Sequence, residues 1–315
     1  MSRRGSRRAP LPVRDGLNPT RLALPRDGGW GSLVSYLVER FPDDAARLRE
    51  QVAAGEVVDE LGRPYASTSP YPAGGLAFLY RDPPVEARVP FDVDVLHQDG
   101  DLVVVDKPHF LAVTPRGAWV AETVLVRLRR ALDLPELSPA HRLDRPTAGV
   151  LVLTARREVR GPYQDLFARR AVSKVYEAVA PVRADLALPT VVRSRIVKQH
   201  GVMQAAQVPG EVNAETRVEL LHTVGDGLGH YRLTPSTGRT HQLRVHMASL
   251  GVPLVGDELY PHVRDVAPDD YSDPLQLLAR SIAFEDPLTG GRREFTSRRV
   301  LARATDAPAD VPPVR

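Results

Sequence analysis

From residue 94 onward the sequence mixes strand-like and helix-like segments without a regular succession of strand, helix and strand. Residues 149–154 form a continuous apolar run, which is typical of a strand buried on both faces. Apolar residues recur at helical spacing in 121–132 and 241–250. Polar and apolar residues alternate in 174–179, 215–220 and 230–234. Because a doubly wound parallel sheet needs regular alternation of strands and helices, this pattern predicts an α+β fold with a mixed, largely antiparallel sheet.

The sequence divides into five segments. Residues 1–28 hold seven arginines, five of them within residues 3–14, among Pro, Gly and Ser, which predicts a basic flexible tail that either contacts phosphates or is only solvated. A small unit with helical apolar spacing follows at 29–82, and prolines in 83–93 predict a linker. The main domain is predicted at 94–303, and the Pro-, Ala- and Asp-rich segment 304–315 is predicted to be a C-terminal tail.

The chain has no cysteine, which excludes disulfides, thiol nucleophiles and cysteine-ligated metal centres. Its apolar runs are far shorter than the roughly 20 residues that cross a membrane. No apolar stretch follows the arginine-rich start, as it would in a secretion signal, so we expect a cytoplasmic protein. The net charge of +3, from 42 Lys and Arg against 39 Asp and Glu, permits a nucleic-acid partner but does not require one.

The densest polar cluster is His141-Arg142-Leu143-Asp144-Arg145, directly before the continuous apolar run. The flanking arginines favour the ionised form of Asp144, because an opposite charge stabilises a carboxylate. An ionised aspartate is a candidate nucleophile or general base. On composition alone, a solvated salt-bridge loop is the commoner interpretation, since surface ion pairs are frequent.

A second polar cluster occupies residues 235–246. Thr240 is predicted to cap a helix that begins there, and Arg244 lies about one turn into that helix, where it can face inward. His241 and His246 are five residues apart, so they diverge by about 140° around a helix of 3.6 residues per turn. This spacing does not favour a shared metal ion.

Four motifs resemble, in the same order, those of the RluA-type pseudouridine synthases. They are Asp106-Lys107-Pro108, His141-Arg142-Leu143-Asp144-x-x-Thr147-x-Gly149, Lys174-x-Tyr176-x-Ala178, and Thr237-Gly238-Arg239-Thr240-His241-Gln242-Leu243-Arg244-Val245-His246 with its continuation to Gly256-Asp257. Their common order over residues 95–285 changes the interpretation of Asp144 from a salt-bridge residue to a catalytic one. Ala148 departs from the family, which often has serine there.

The resemblance implies a pseudouridine synthase-like catalytic domain and isomerisation of uridine to pseudouridine in 23S ribosomal RNA, transfer RNA or both, without cofactor or metal. Its implied catalytic residues are Asp144, Arg244 and Tyr176. Asp144 would be the essential carboxylate, acting either as nucleophile at the anomeric carbon or as base at the neighbouring carbon. Arg244 would pair with Asp144, and Tyr176 would stack on the base, although a core tyrosine remains the alternative for that position.

The resemblance also implies contacts to RNA. Arg142 would fill the space left by the flipped uridine, and His141, Arg145 and Arg239 would contact the substrate. Lys107 would either support the site or bind a phosphate. The acidic unit at 29–82 resembles, more weakly, the alpha-L RNA-binding module, and either RNA contact or a structural role is compatible with it.

The sequence leaves two other functions to consider. A non-catalytic RNA-binding or RNA-chaperone protein on the same fold would be favoured if Asp144 or Tyr176 were missing, and both are present. A glycoside hydrolase normally needs a pair of carboxylates, whereas these motifs offer Asp144 alone among arginines. We expect a monomer, because no apolar heptad or exposed apolar stripe is evident.

Overall fold

The computed structural model describes residues 9–83 and 85–304. The chain divides into two compact units. The first comprises residues up to 85 together with 129–135, and the second comprises 86–128 and the residues from 136 onward. Within the described ranges, no helix has the length and apolar character needed to cross a membrane.

The first unit is a pair of helices and a two-stranded sheet around a small apolar core. Its elements are β1 (Thr20–Ala23), α1 (Leu33–Arg40), a 3-10 turn (Pro42–Asp44), α2 (Ala45–Ala53) and β2 (Leu76–Leu79), with β1 antiparallel to β2. The hydroxyl of Ser32 begins α1 by accepting a hydrogen bond of 3.1 Å from the backbone N–H of Ser35. The helical spacing of Leu33 and Leu37 buries both side chains in the core of this unit.

Two boundaries differ from the sequence prediction. Residues 20–23 form β1, and the guanidinium of Arg14 lies 3.9 Å from the ring centroid of Tyr80. A flexible tail is therefore the wrong description of these residues, because strand pairing and cation–π contact fix them. The predicted linker is likewise bound over part of its length, since the Glu86 carboxylate accepts hydrogen bonds from the backbone N–H groups of residues 120–122. The remaining parts of the predicted tails, residues 1–8 and 305–315, lie outside the described residues.

The second unit is built on a large sheet. Its strands are β3 (Asp94–Gln98), β4 (Leu102–Lys107), β5 (Ser138–Pro139), β6 (Ala148–Thr154), β7 (Val172–Pro181), β8 (Thr190–Val197), β9 (Ala206–Val208), β10 (Ala214–Val224), β11 (Leu228–Pro235), β12 (Leu277–Glu285) and β13 (Arg292–Thr296). Its helices are α3 (Val124–Leu132), which begins in this unit, α4 (Arg160–Ala168) and α5 (Gln242–Ser249).

Within the described residues, these eleven strands form one sheet in the order β3-β4-β6-β12-β7-β11-β10-β8-β9, with β13 added to β12 and β5 to β6. Neighbouring strands are antiparallel except β6 and β12, which are parallel. The predicted α+β class with a largely antiparallel sheet is confirmed. The continuous apolar run forms β6, which is buried along its whole length.

The sheet is tightest where β6 meets β12. Gly149 has a φ of 111°, and a Cβ at this position would lie 2.3 Å from the carbonyl oxygen of Ala279, so only glycine fits. Ala279 is in register with Gly149 on one side and with Tyr176 of β7 on the other. This register places the loop before β6 beside the middle of β7.

Helix α5 packs on the sheet through Leu243 and Met247, which join a buried cluster with Ala178, Val218 and Leu233. The apolar positions in these strands follow the alternation seen in the sequence. The outcome is a rigid support beneath one end of α5, where the second polar cluster lies.

Candidate active site

Residues of three of the four motifs line one cleft of about 1040 Å³ in the second unit. Asp144 lies in the loop between β5 and β6, where the backbone N–H of Thr147 donates to the carbonyl oxygen of Asp144 at 3.1 Å and closes a turn. The Asp144 side chain is 31% exposed. The cleft therefore receives a carboxylate from a loop that is anchored by a fully buried strand.

One buried and one half-buried side chain, those of Lys107 and His109, hydrogen-bond carbonyl groups of this loop. The Lys107 ammonium donates to the carbonyl oxygens of Pro108, Leu111 and Arg145 at 2.9, 2.8 and 3.0 Å. His109 hydrogen-bonds through Nδ1 to the carbonyl oxygen of Pro146 at 2.7 Å, and because a carbonyl only accepts, Nδ1 carries the proton. Burial lowers the pKa of His109 to about 4, so the ring is neutral at neutral pH.

Lys107 is wrongly predicted as a contact to RNA. Its side chain is fully buried, and three carbonyl acceptors match the three N–H donors of its ammonium group. Burial lowers the pKa of Lys107 well below its usual value, and the negative charge of Asp144 opposes that effect. Its position supports the other sequence interpretation, in which Lys107 supports the site.

Arg244 projects from α5 beneath the cleft and is only 3% exposed. Its Nε and a terminal nitrogen donate to the two carboxylate oxygens of Asp257 at 2.9 and 2.5 Å. The nearest Arg244 nitrogen to Asp144 is 3.9 Å from the carboxylate, which is an ion-pair distance and longer than a hydrogen bond. The Asp144–Arg244 pair predicted from the sequence is present as an ion pair, while Asp257 takes the hydrogen bonds of the guanidinium.

Burial opposes the charge of Arg244, but the hydrogen bonds and negative charge of Asp257, together with the charge of Asp144, outweigh that penalty and raise its pKa. Asp257 is itself buried and also accepts hydrogen bonds from the backbone N–H groups of Leu259 and Tyr260 at 2.8 and 3.1 Å. Arg244 and Asp257 therefore form a buried, mutually neutralising pair directly behind Asp144.

Tyr176 lines the cleft from β7 and packs against the cluster below α5. Burial raises the pKa of its phenol, and the negative charge of Asp144 raises it further. The side chain is consequently a neutral aromatic group beside the carboxylate, suited to stacking on a flat base.

The second polar cluster is organised by Gln242. Its side-chain oxygen accepts hydrogen bonds from the Thr237 hydroxyl at 2.7 Å and from the Arg239 backbone N–H at 3.0 Å. The ammonium of Lys174 donates to the carbonyl oxygen of Thr237 at 3.0 Å, which links the third motif to the fourth. The predicted cap by Thr240 is wrong: the first residue flanking α5 has a φ of 58° and makes no side-chain cap.

The other predicted RNA contacts have different environments. Arg142 is exposed, and its guanidinium makes no hydrogen bond or ion pair with the residues that the structure describes. Arg145 lies over the Trp119 ring at 4.6 Å and donates to the carbonyl oxygen of Pro268 at 3.1 Å. Arg239 is exposed and lines the cleft.

His141 is held as a neutral part of the cleft wall. Its ring stacks on Phe167 with centroids 4.5 Å apart, and its Nε2 accepts a hydrogen bond from the backbone N–H of Val152 at 3.1 Å. Burial, with a smaller effect from Lys174, lowers the pKa of His141 to about 3. His141 therefore carries no positive charge at neutral pH, and Phe167 and Val152 fix the orientation of its ring.

Metal ligation by the histidines of α5 has no support. His246 is fully buried and hydrogen-bonds the hydroxyls of Ser194 and Thr216 at 3.0 and 2.9 Å. His241 instead hydrogen-bonds the hydroxyl of Tyr260 at 2.9 Å. Among the residues for which the structure gives a placement, no three His, Asp or Glu side chains form a group that could hold a metal ion.

Comparison with known proteins identifies the family of this chain. A family model described as RNA pseudouridylate synthase matches residues 101–249. An uncharacterised RNA pseudouridine synthase of Synechocystis sp. is 34% identical over 220 residues, 67% of this chain and 73% of that protein. The dual-specificity RNA pseudouridine synthase RluA of Escherichia coli K12 is 31% identical over 209 residues, 64% of this chain and 90% of RluA. The solved human RNA pseudouridylate synthase domain containing 4 aligns with a TM-score of 0.51 at 28% identity, covering 65% of this chain and 88% of that one.

The fold and these relatives define an RNA-modifying isomerase. The chain belongs to the RluA-type RNA pseudouridine synthases, which isomerise uridine in RNA to pseudouridine.

Sequence reasoning missed three residues of the site. Asp257 belongs to a motif, but its spacing does not identify it as the hydrogen-bond partner of Arg244. Gln242 and His109 are buried or half-buried polar side chains whose partners are mostly backbone groups. Their polarity beside known motif residues was the available signal, but backbone partners leave no trace in a sequence.

Proposed function

We propose that Asp144 is the catalytic carboxylate, and that it acts on the ribose of a uridine flipped out of structured ribosomal or transfer RNA into the cleft. The chain works as a monomer in the cytoplasm in this proposal. The carrying observation is the position of Asp144, partly exposed in the cleft and 3.9 Å from the buried guanidinium of Arg244.

The Arg244–Asp257 pair supports this role through its charge balance. A carboxylate held in both arms of an arginine fork is shielded by two hydrogen bonds and is a poor nucleophile or base. Here Asp257 takes both hydrogen bonds, so Arg244 orients Asp144 by charge while leaving its oxygens free. Arg244 is accordingly a positioning residue, whereas Asp144 is the group that meets substrate.

In the reaction, the bond between the anomeric carbon and N1 of uracil breaks, the base turns, and C5 bonds to the same carbon. The proton on C5 is lost and N1 gains one, so the net change is an isomerisation. Asp144 either attacks the anomeric carbon or removes a proton from the neighbouring carbon, and both routes fit its position. Tyr176 retains the detached base by stacking, which is favourable for a neutral aromatic ring.

Binding of the RNA needs base flipping and neutralisation of phosphates. Arg142, with no partner among the described residues, is free to enter the space that the uridine leaves. Arg145 and Arg239 line the same cleft and supply positive charge toward the strand on either side. For the first unit, which contains α1 and α2, two roles stay open in this proposal: a further contact with RNA or a structural role.

The decisive experiment compares Asp144→Asn with Glu258→Gln, which removes the charge of another carboxylate that lines the same cleft. The substrate is RNA carrying tritium at C5 of uridine, and release of tritium is measured in single turnover. Asp144→Asn is expected to lower the rate roughly 10³-fold or more without weakening RNA binding, while Glu258→Gln stays near wild type.

A rate within about tenfold of wild type for Asp144→Asn would contradict the proposal, because about 1.4 kcal/mol is too little for an essential group. The target is found by mapping pseudouridines lost in a strain that lacks the protein. Restoration by the wild-type chain but not by Asp144→Asn is the expected result. A strain that loses no pseudouridine would favour the non-catalytic RNA-binding alternative.

A further inference from the structure

A second, smaller pocket of about 410 Å³ adjoins the cleft. Its walls are Arg170, Arg195 and Arg239 together with Glu211, Val212 and Asn213. Arg170 and Arg239 also line the cleft, so the two cavities share a wall of arginine side chains. A strand that leaves the cleft on this side would pass directly over the pocket.

The arginines of this pocket differ from most surface arginines of the unit. Arg183 and Arg217 are exposed and paired with carboxylates at 2.5 and 3.0 Å. Arg170, Arg195 and Arg239 make no ion pair within 4 Å among the described residues, and only Glu211 brings a negative charge to the pocket wall. Unpaired guanidinium groups gathered in a concave surface produce a positive potential that favours an anion.

Arg170 occupies a backbone position that normally selects glycine. It follows the end of α4 with a φ of 60°, its N–H donates to the carbonyl oxygen of Phe167, and the N–H of Ala171 donates to that of Leu166. This pattern is a Schellman motif, in which glycine is the usual residue because it adopts a positive φ without strain. Because an arginine pays a conformational cost at this position that a glycine would avoid, a role for its side chain beyond ending the helix would account for it.

The other two guanidinium groups are positioned by the backbone around them. Arg239 donates from Nε to the carbonyl oxygen of Asn213 at 3.1 Å, which leaves its terminal nitrogens available. A Cβ at Gly210 would lie 2.4 Å from a terminal nitrogen of Arg195, so the glycine provides the space in which this guanidinium lies. The three arginines therefore converge through three different local structures.

We infer that this pocket binds a phosphodiester group of the RNA strand next to the flipped uridine, an inference that rests on the proposed function of the cleft. The planar, multiply donating guanidinium matches phosphate oxygens in geometry, and three of them around one concave site suit a single phosphate. The pocket thus fixes which way the strand leaves the cleft, and it contributes affinity and register without taking part in bond breaking.

The test uses Arg170→Gly and Arg195→Gln, with Arg217→Gln as the matched control. Arg170→Gly keeps the fold, because glycine suits the end of α4, and Arg217→Gln removes the same charge from an exposed, ion-paired arginine. Each pocket variant is expected to bind RNA about 5- to 20-fold more weakly, and its slope of log affinity against log salt is expected to be shallower by about 0.7 per lost phosphate contact. Single-turnover rates at saturating RNA should equal wild type, and the control should bind within about twofold of wild type.

A second measurement locates the phosphate. Substrate RNAs with one neutral methylphosphonate linkage at successive positions around the target uridine are bound to wild type and to Arg195→Gln. For wild type, a methylphosphonate at one or two linkages beside the target uridine should weaken binding. For Arg195→Gln, the same substitutions should cause no further loss of affinity. Methylphosphonate effects that are the same in both proteins would overturn the inference, as would pocket variants that bind like the control.

A site for free phosphate would show itself differently, because inorganic phosphate would then compete with RNA more than sodium chloride of equal ionic strength, and the linkage substitutions would have no effect. That result would also refute the inference. Failure of the catalytic proposal is separate, since it would appear as tritium release by Asp144→Asn within about tenfold of wild type, whatever the pocket variants do.

Discussion

Replacing Asp257 by asparagine should distinguish the roles of the two carboxylates that face Arg244, those of Asp144 and Asp257. The substitution keeps the shape of the side chain and one oxygen that can accept hydrogen bonds from the backbone N–H groups. It removes the negative charge that is hydrogen-bonded to the guanidinium of Arg244, which is only 3% exposed. Breaking a buried ion pair from one side costs about 3–5 kcal/mol, because the remaining charge stays buried. We expect the lower part of this range, since asparagine retains an acceptor.

A loss of about 3 kcal/mol corresponds to a fall of roughly 6–12 °C in the thermal midpoint of a unit of this size. Freed from Asp257, Arg244 would turn its fork toward Asp144 and shield it, so the single-turnover rate should also fall. The assay is thermal and urea unfolding of Asp257→Asn, Arg244→Met and the double variant, with tritium release on each.

The double variant tests whether Arg244 and Asp257 stabilise each other, because it removes both charges together. It should be more stable than Asp257→Asn alone, with a coupling energy of about 2 kcal/mol between the two positions. Strictly additive losses, or a loss below about 1 kcal/mol for Asp257→Asn, would refute the description of a buried, mutually neutralising pair.

Three further predictions follow from the packing around the site. Gly149→Ala should destabilise the protein by about 2–4 kcal/mol in urea unfolding, because its Cβ would meet the Ala279 carbonyl oxygen at 2.3 Å at a positive φ; a loss under 1 kcal/mol would count against that close approach. His109→Leu should lower the single-turnover rate while His109→Asn, which can still donate to Pro146, restores most of it; equal rates would show that this hydrogen bond does not position the loop. Burial lowers the pKa of His246 to about 4, whereas its pKa in the unfolded chain is about 6.5. The contribution of neutral His246 to the free energy of unfolding is therefore complete above pH 6.5. It decreases between pH 6.5 and 4, because the unfolded chain takes up a proton there and the folded chain does not. The free energy of unfolding should decrease from pH 7 to pH 5 by on the order of 1–2 kcal/mol more in wild type than in His246→Gln. An equal decrease in the two proteins would contradict this prediction.

The sequence predicts the parts of the fold whose residues repeat with a clear period. The continuous apolar run becomes β6, and the alternating segments become the middles of β7, β10 and β11. These elements follow from burial on one or two faces, which is written directly into the spacing of apolar residues. The motif residues likewise gather at one cleft, because three motifs lie in the loops and strands that this sheet brings together.

What was not predicted depends on partners distant in the chain. The strand β12 contains Arg280 and Ser281 in its middle, which interrupt the apolar pattern, and the structure satisfies Arg280 through both carboxylate oxygens of Glu177 at 2.9 and 2.7 Å. The choice of Asp257 over Asp144 as the hydrogen-bond partner of Arg244 also depends on contacts between residues distant in the chain. Sequence spacing indicates that a carboxylate is needed, but the choice between two carboxylates is made by geometry alone.

The register of β12 has a consequence for the timing of activity during synthesis. Gly149, at the end of the loop that carries Asp144, and Tyr176 are neighbours only through Ala279, a residue made long after both. A nascent chain that ends before residue 277 holds each half of the site without the strand that joins them, and long-range pairing of this kind forms late. The spacing between the two halves of the site therefore depends on a strand that is made after both of them.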